Sequence, residues 1–171
     1  MKITTNWEEI KALFRRSFRS SFHYAIATVN EDGTPHITPI GSLILGEPGK
    51  GFYFEEFPRQ LPRNLQANQQ ICVMAVDSGI GFWLRSLLGG KFIAPPGIRL
   101  YGTAGELRPA TEAEITRWQR RVRRVRFTKG HKMMWREMRM VREIEFTHAK
   151  LIEIGEMTRG FGEQDIKRNK A

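Results

Sequence analysis

The chain of 171 residues has 40% hydrophobic and 27% charged residues and a formal net charge of +10. At about 150 residues per domain, this length predicts a single domain over residues 1–171, and the composition excludes a disordered chain. The sequence has no run of about 18 apolar residues that would predict a transmembrane helix. It has no apolar N-terminal signal and one cysteine, Cys72. We therefore expect a cytoplasmic protein without an internal disulfide.

The positive charge lies in one segment. Residues 117–142 contain eleven basic residues and one acidic residue, Glu137, while the rest of the chain is neutral. We interpret the segment as a solvated helix face followed by a packing surface rich in methionine and tryptophan, because no base-stacking platform accompanies the charge. The alternative is that it binds nucleic acid or an anionic membrane surface by neutralising phosphates.

The first segment predicts an amphipathic helix over residues 6–18. Asn6 precedes Glu9 by three residues, a spacing that is suited to capping the start of a helix. The apolar side chains that recur on one helical face are Trp7, Ile10, Phe14 and Phe18. We expect this face to cover a sheet.

Strands then follow one another without long helices between them. Residues 22–30 and 35–45 flank the pair Asp32-Gly33, which predicts a hairpin turn because glycine accepts a positive φ. Pro39 has no N–H to donate, so the second strand of this hairpin is expected at a sheet edge or at a bulge. Further strands are predicted at 52–54, 71–76, 98–107 and 143–154.

A short helix, a longer basic helical segment and two glycines complete the pattern. Pro62 predicts a helix start within 62–68, and Thr111 with Glu114 forms a capping box that opens a basic helical segment over 111–142. Glycines inside the 98–107 strand permit a bend or a bulge there. These glycines are Gly102 and Gly105.

Residues 78–96 form an apolar excursion that is expected to cover a pocket or a partner surface. This segment could equally pack over the end of a barrel or serve as an active-site lid. The tail from Gly155 is expected to be loosely held.

Consecutive strands exclude the alternating order of a parallel, doubly wound sheet. The pattern predicts a mainly β protein with flanking helices, built as an antiparallel barrel or sandwich whose core lies at about residues 22–108 and 143–154.

Common catalytic and metal-binding motifs are missing from the sequence. It contains no HExxH, CxxC, GxGxxG or GxSxG pattern. The histidines are scattered and lack an i, i+4 pair, so no metal site is predicted. They are His23, His36, His131 and His148.

Three motifs in residues 25–77 occur in a specific order. They are an A-x-A-T-V strand at 25–29, a D-G-x-P-H-x-x-P-I hairpin at 32–40 and an N-L-x-x-N helix at 64–68. In this order and spacing the chain resembles the pyridoxamine 5′-phosphate oxidase-like family of FMN-binding split β-barrels. Gly102 resembles the glycine of the family's following strand.

The resemblance implies a homodimer that holds two FMN molecules at the subunit interface and acts as an oxidoreductase on an unknown small-molecule substrate. It places the flavin phosphate at Arg59, Arg63 and Asn64, where arginine's planar fork and a helix start suit a phosphate. It places the flavin ring along the backbone of two strands, at Thr38, Pro39 and Ile40 and at Tyr53, Phe54 and Glu55. No catalytic acid or base is evident.

The sequence departs from the family pattern at Glu55-Glu56, because two carboxylates beside a phosphate oppose its binding unless they point away. The chain ending also lacks the Arg-Leu-His-type sequence that contacts the substrate phosphate in pyridoxamine phosphate oxidases, so that activity is not expected.

Three alternatives remain at this point. The barrel could bind haem through one of the four histidines, or its Arg-rich helix could dock on an anionic partner. Apolar residues 82–92, flanked by cations, could associate with a membrane surface.

Overall fold

The computed structural model describes residues 3–135 and 137–161 of the chain. Seven strands form one antiparallel sheet in the order β2-β1-β5-β6-β7-β4-β3. The strands are β1 Tyr24–Val29, β2 Pro35–Ile40, β3 Ile44–Leu45, β4 Lys50–Phe54, β5 Gln70–Val76, β6 Gly97–Pro109 and β7 Met140–Leu151. The two ends of the sheet are not paired as strands, so the protein is mainly β with flanking helices and has the predicted split-barrel architecture.

Five α-helices flank the sheet within the described ranges. They are α1 Trp7–Ser21, α2 Gln60–Ala67, α3 Ile80–Leu88, α4 Glu112–Val122 and α5 Lys129–Met134. None of these helices has the length and hydropathy that crossing a membrane requires. Helix α1 begins and ends close to the predicted 6–18, and α2 begins two residues before the predicted Pro62.

The β1–β2 hairpin confirms the Asp-Gly prediction. Gly33 has a φ of +83° at the turn, where nothing would obstruct a Cβ, so the backbone conformation is what favours glycine. Strand β2 is an edge strand with β1 as its one neighbour, which is where Pro39 is tolerated.

The main core lies between the sheet and α1. Ile26, Val73 and Leu100 are fully buried in adjacent strands, and α1 contributes Ile10 and Phe14. Each such side chain contributes about 1.5–3 kcal/mol when removed from water. The apolar face predicted from residues 6–18 therefore does cover the sheet.

A second core forms where α4 packs on the other side of β4. Trp118 is fully buried beside Phe54, with ring centroids 6.0 Å apart, and Val122 and Val141 complete the contact. The predicted capping box opens α4, because the Thr111 hydroxyl accepts from the Glu114 amide while the Glu114 carboxylate accepts from the Thr111 amide.

The Ser42 side chain extends the pairing of β3 with β4. Ser42 Oγ accepts a hydrogen bond from Phe54 N at 3.1 Å and donates one to Phe54 O at 3.0 Å. The hydroxyl thus adds one more pair to the β3–β4 register, in which Ile44 lies opposite Phe52.

Strand β6 has the predicted irregularities. Its register with β7 shifts between Tyr101 and Gly102 and again between Ala104 and Leu107. A Cβ on Gly102 would lie 2.1 Å from Glu145 O, so this position requires glycine. The close approach lets β6 bend across the barrel.

The excursion at 78–96 is a packed helix with an exposed apolar side. Phe92 is buried against Phe82 and Trp83, whereas Ile80 and Leu88 are more than 80% exposed. Its inner side matches the packed interpretation.

The expectation of a loosely held tail is wrong for its first turn. Thr158 is buried, its hydroxyl accepts from Ile154 N at 2.8 Å, and Met157 O accepts from Phe92 N at 3.0 Å. The tail is held because it packs on the excursion. The rest of the predicted tail, residues 162–171, and the chain ending lie outside the described residues.

Candidate functional site

A cluster of polar side chains lies inside the β1–β2 hairpin, next to α2. Thr28 is buried opposite His36 in the strand register, and His36 Nε2 is hydrogen-bonded to Thr38 Oγ1 at 3.0 Å. The strand alternation places all three side chains on the inner face of the hairpin. Asn64 of α2 reaches the same group, since its amide donates to Thr28 Oγ1 at 3.0 Å.

The Asn64 side chain is fully used within the protein. Its amide nitrogen donates to Thr28 and to Asn30 Oδ1, and its oxygen accepts from Gln60 at 2.9 Å. Asn64 is also buried. It therefore anchors α2 on β1 instead of presenting a donor to a ligand.

Arg59 and Arg63 have the opposite character. Both are exposed, and neither makes a hydrogen bond or ion pair with another described residue. Arg59 is the N-cap of α2, whose first turn contains no acidic residue. Asn64 fixes α2 on β1, so Arg59 and Arg63 belong to the helix that packs on the hairpin, and a helix start and free cations both favour an anion.

The neighbouring backbone is also available. As an edge strand, β2 leaves the backbone groups on its outer side without a strand partner. Thr38 is half-buried, Pro39 is exposed and Ile40 is buried in the core. The structure places α2 at Thr28 and Asn30, beside the hairpin turn, whereas Thr38, Pro39 and Ile40 lie farther from the turn, opposite Ile26, Ala25 and Tyr24 of β1.

The part of the predicted site on β4 is engaged elsewhere. Tyr53 and Phe54 have side chains that are at most 2% exposed, and both backbone groups of Phe54 are taken by Ser42. Glu55 N donates to Met140 O at 3.1 Å. In this chain the β4 residues present no free donor to a ligand.

Glu55 is the centre of a buried ionic network. Arg142 donates to both of its carboxylate oxygens, at 2.7 and 2.6 Å, and also to Gly105 O at 2.8 Å. The Tyr53 hydroxyl donates to the same carboxylate. Burial raises the pKa of Tyr53, and the Glu55 charge raises it further, so the hydroxyl keeps its proton.

The second acid of the pair is bound to the same segment of the chain as the first. Glu56 Oε1 accepts from the backbone N–H of Met140 at 2.8 Å and from that of Arg139 at 2.5 Å. Both carboxylates are thus bound to the segment 139–142, Glu55 as a buried ion pair and Glu56 as an exposed acceptor.

The arginines of the basic segment do not all form the solvated face that the sequence predicts. Arg142 is buried against Glu55, and Arg121 lies over the Phe18 ring at 3.7 Å and donates to Tyr24 Oη at 2.7 Å. Desolvation lowers the pKa of Arg121. The other arginines and lysines described in this segment are exposed.

One face of the sheet is uncovered. Its central row crosses four strands through Ala27, Cys72, Tyr101 and His148, which are paired in register. Ile37 continues the row on β2 and is 64% exposed. Burial raises the pKa of the Cys72 thiol. The row is apolar from Ile37 to Cys72, and Arg99 and Lys150 flank Tyr101 and His148 on the same face.

The histidines are spread over the molecule. His148 is exposed and stacked on Tyr101 at 4.5 Å, His23 is exposed and bonded to Ser21 O, and His131 is buried with Nε2 unpartnered. Among residues 3–135 and 137–161, no three His, Cys, Asp or Glu side chains group as a metal site.

The open antiparallel barrel defines a split-barrel protein. The chain matches the family model of pyridoxamine 5′-phosphate oxidase over residues 7–153, and it belongs to that family. No curated protein matches the chain significantly.

Solved structures share this fold at low identity. HupZ of Group A Streptococcus is 19% identical with a TM-score of 0.57, over 86% of this chain and 94% of that one. An FMN-binding protein of Syntrophomonas wolfei is 13% identical with a TM-score of 0.55, over 88% and 94%. HutZ, a heme storage protein of Vibrio cholerae, is 15% identical with a TM-score of 0.52, over 88% and 95%.

Sequence reasoning missed Thr28 and His36 as members of the polar cluster. The i, i+2 spacing of His36 and Thr38 on a strand was the available signal, because it puts both side chains on one face. Thr28 gave none, since only the strand register brings it opposite His36.

Proposed function

We propose that the protein binds FMN at the hairpin end of the barrel and is an oxidoreductase. The observation behind this is the pair of unpaired arginines, Arg59 and Arg63, at the start of a helix whose first turn has no acidic residue and which packs on β1, the neighbour of the edge strand β2. Membership in an oxidase family and the likeness to an FMN-binding protein support the same assignment.

The residues present fit the phosphate and ring of the cofactor. Arg59 and Arg63 would hold the phosphate, and the outer backbone edge of β2 at Thr38 and Pro39 would meet the ring. His36 and Thr38, hydrogen-bonded to each other, would offer polar groups near the ring. Asn64 would act as a positioning residue, through its hold on α2.

Bound FMN supplies hydride acceptance from a substrate, and the protein contributes binding, orientation and electrostatics. Arg59 and Arg63 favour the binding of a negatively charged group near the hairpin end. Arg142 neutralises the Glu55 carboxylate, and the backbone N–H groups of Arg139 and Met140 bind that of Glu56.

We propose further that the protein is a homodimer. The uncovered face of the sheet supports this, because burying Ile37, Ala27 and Tyr101 against a second copy would remove them from water. A cofactor at the hairpin end would then lie near the edge of that interface, as the family resemblance implies.

Absorption spectroscopy during titration with FMN tests the first proposal. We expect about one flavin per chain, and a loss of about 1–3 kcal/mol in binding for Arg63→Gln, the scale of a hydrogen bond to a charged group. Arg19→Gln, an exposed arginine on α1, is the matched control and should bind FMN normally. Uptake that is absent, or equal in both variants, would overturn the proposed site.

Haem is the second candidate ligand. The likeness to a heme storage protein supports it, and so does His148, an exposed imidazole stacked on Tyr101 at the uncovered face. Titration with hemin should give a Soret band that His148→Ala abolishes and Arg63→Gln leaves unchanged. FMN uptake that Arg63→Gln weakens, without a Soret band that depends on His148, would decide for flavin.

A further inference from the structure

The strongest unassigned feature is a turn in the basic segment. Residues 115–136 contain nine arginines and lysines and no acidic residue, between Glu114 and Glu137. The turn at its centre joins the 3₁₀ turn Arg123–Val125 to α5. The cations exposed on and around it are Arg120, Arg123, Arg124, Arg126, Lys129 and Lys132.

Apolar side chains stand out among these cations. Phe127 is 80% exposed, Met133 is 81% exposed and Met134 is 49% exposed. We name this set of exposed cations and apolar side chains in residues 120–134 the basic–apolar turn. Single exposed apolar residues are common, but here two almost fully exposed ones lie within seven residues that also contain two lysines.

The turn is fixed by its own hydrogen bonds. The Thr128 hydroxyl accepts from His131 N at 3.1 Å and donates to Val125 O at 2.8 Å, and Thr128 N donates to the same carbonyl at 3.0 Å. On its inner side Trp135 packs edge-on against Trp118, with ring centroids 5.9 Å apart. These hydrogen bonds and ring contacts do not involve the Phe127 side chain, which is exposed to solvent.

We propose that the basic–apolar turn docks on an anionic lipid surface. Headgroup phosphates and carboxylates would pair with the arginines and lysines, while Phe127 and Met133 would enter the interfacial region. The charge complementarity is strong because the excess positive charge of the whole chain lies in residues 117–142. This inference is independent of the cofactor.

Lipid is favoured over nucleic acid by the apolar side chains. A nucleic acid would bind the cations through its phosphates and would stack its bases on an aromatic side chain. It offers no apolar environment to an exposed methionine such as Met133. A bilayer interface accommodates both kinds of group. The exposed side of α3 is a weaker candidate for lipid binding because it has fewer cations beside it. These are Arg85 and Lys91, compared with six exposed cations in the basic–apolar turn.

Co-sedimentation of the full chain with vesicles tests the proposal. Binding is expected to vesicles of phosphatidylcholine with phosphatidylserine and to be absent with phosphatidylcholine alone. It should decline as NaCl rises from about 0.1 M to about 1 M, because the Debye length shortens from about 10 Å to about 3 Å. Binding that is equal for both vesicle types would overturn it.

Two variants separate the cations from the apolar residue. Arg123→Gln/Arg124→Gln/Arg126→Gln should weaken binding roughly 100-fold, at the usual contribution of a cation near an anionic surface. Phe127→Ser should weaken it roughly tenfold through lost insertion. All four side chains are exposed, and unchanged urea midpoints would show that the variants fold.

Matched controls use exposed residues elsewhere on the chain. Leu88→Ser replaces a side chain as exposed as Met133, and Arg15→Gln/Arg19→Gln/Lys91→Gln removes three exposed cations outside the turn. Both should bind vesicles normally. A loss confined to Leu88→Ser would assign the contact to α3 and overturn the proposal. Tight binding to duplex DNA, with none to anionic vesicles, would do the same in favour of nucleic acid.

Discussion

Arg142 and Glu55 form a buried ion pair in which the guanidinium donates to both carboxylate oxygens, at 2.7 and 2.6 Å. Their side chains are 11% and 1% exposed. The pair joins the end of β4 to β7, and Arg142 adds a hydrogen bond to Gly105 O on β6. One arginine thus links three strands at the place where the sheet bends.

The first prediction concerns this pair. Glu55→Leu should cost about 3–5 kcal/mol of unfolding free energy, because it leaves a buried guanidinium without its counter-ion. Glu55→Leu/Arg142→Met should cost less than the sum of the two single changes. Urea unfolding of the four proteins in a double-mutant cycle measures this coupling. Additive losses would show that the pair is not coupled, and Arg139→Gln, in an exposed pair with Glu137, should change stability by less than about 1 kcal/mol.

The second prediction concerns the two glycines of β6. Gly102→Ala should destabilise the protein by about 2–3 kcal/mol, because its Cβ would overlap Glu145 O. Gly105→Ala is the matched control, since its Cβ would have no atom nearer than 3.7 Å. It should be neutral or slightly stabilising. Thermal unfolding by circular dichroism separates the two, and equal effects would contradict the close approach.

The third prediction concerns pH and the capping box. Hydrogen bonds from Arg108 lower the pKa of Glu114 from near 4.5 to about 2, so the folded state favours the charged form. The resulting stabilisation is present above pH 4.5 and is lost as the pH falls toward 2. Glu114→Gln should therefore cost about 1–2 kcal/mol at neutral pH, and that difference should shrink in acid.

Urea midpoints between neutral pH and pH 2 measure this dependence. Glu112→Gln changes an exposed acid in the same first turn and should leave the pH profile unaltered. A difference between Glu114→Gln and the parent that stays constant with pH would contradict the assignment.

The fourth prediction follows from the proposed homodimer. Ile37→Lys places a charge on the uncovered sheet face and should weaken self-association at least roughly tenfold. Analytical ultracentrifugation measures this. Leu88→Lys adds the same charge on the exposed side of α3 and should leave the dimer intact. If Leu88→Lys alone dissociates the protein, α3 is the interface instead.

Features that depend on neighbouring residues were predictable from the sequence. Gly33 in the hairpin and Thr111 with Glu114 in the capping box each meet a requirement that lies within a few residues. Pro39 predicted that β2 is an edge strand or carries a bulge, and the structure shows the edge position.

Features that depend on distant contacts were not predictable. Arg121 and Arg142 looked like part of a solvated helix face, but their partners Leu43 and Glu55 lie 78 and 87 residues away. Within the candidate site, Asn64 shows the same limit: its motif marks the position, while only the contact with Thr28 shows that its amide faces inward.

Two arginines of α4 have a consequence for the outer strand of the sheet. Arg121 donates to Leu43 O, and Arg117 donates to Leu45 O at 3.3 Å, so backbone carbonyls in and beside β3 are occupied by guanidinium groups. An unoccupied edge is a template on which another chain can add a strand. The guanidinium groups of Arg117 and Arg121 occupy these carbonyls, and their positive charge repels another copy of this basic chain. Part of the chain's basic character therefore protects it against intermolecular strand addition and aggregation.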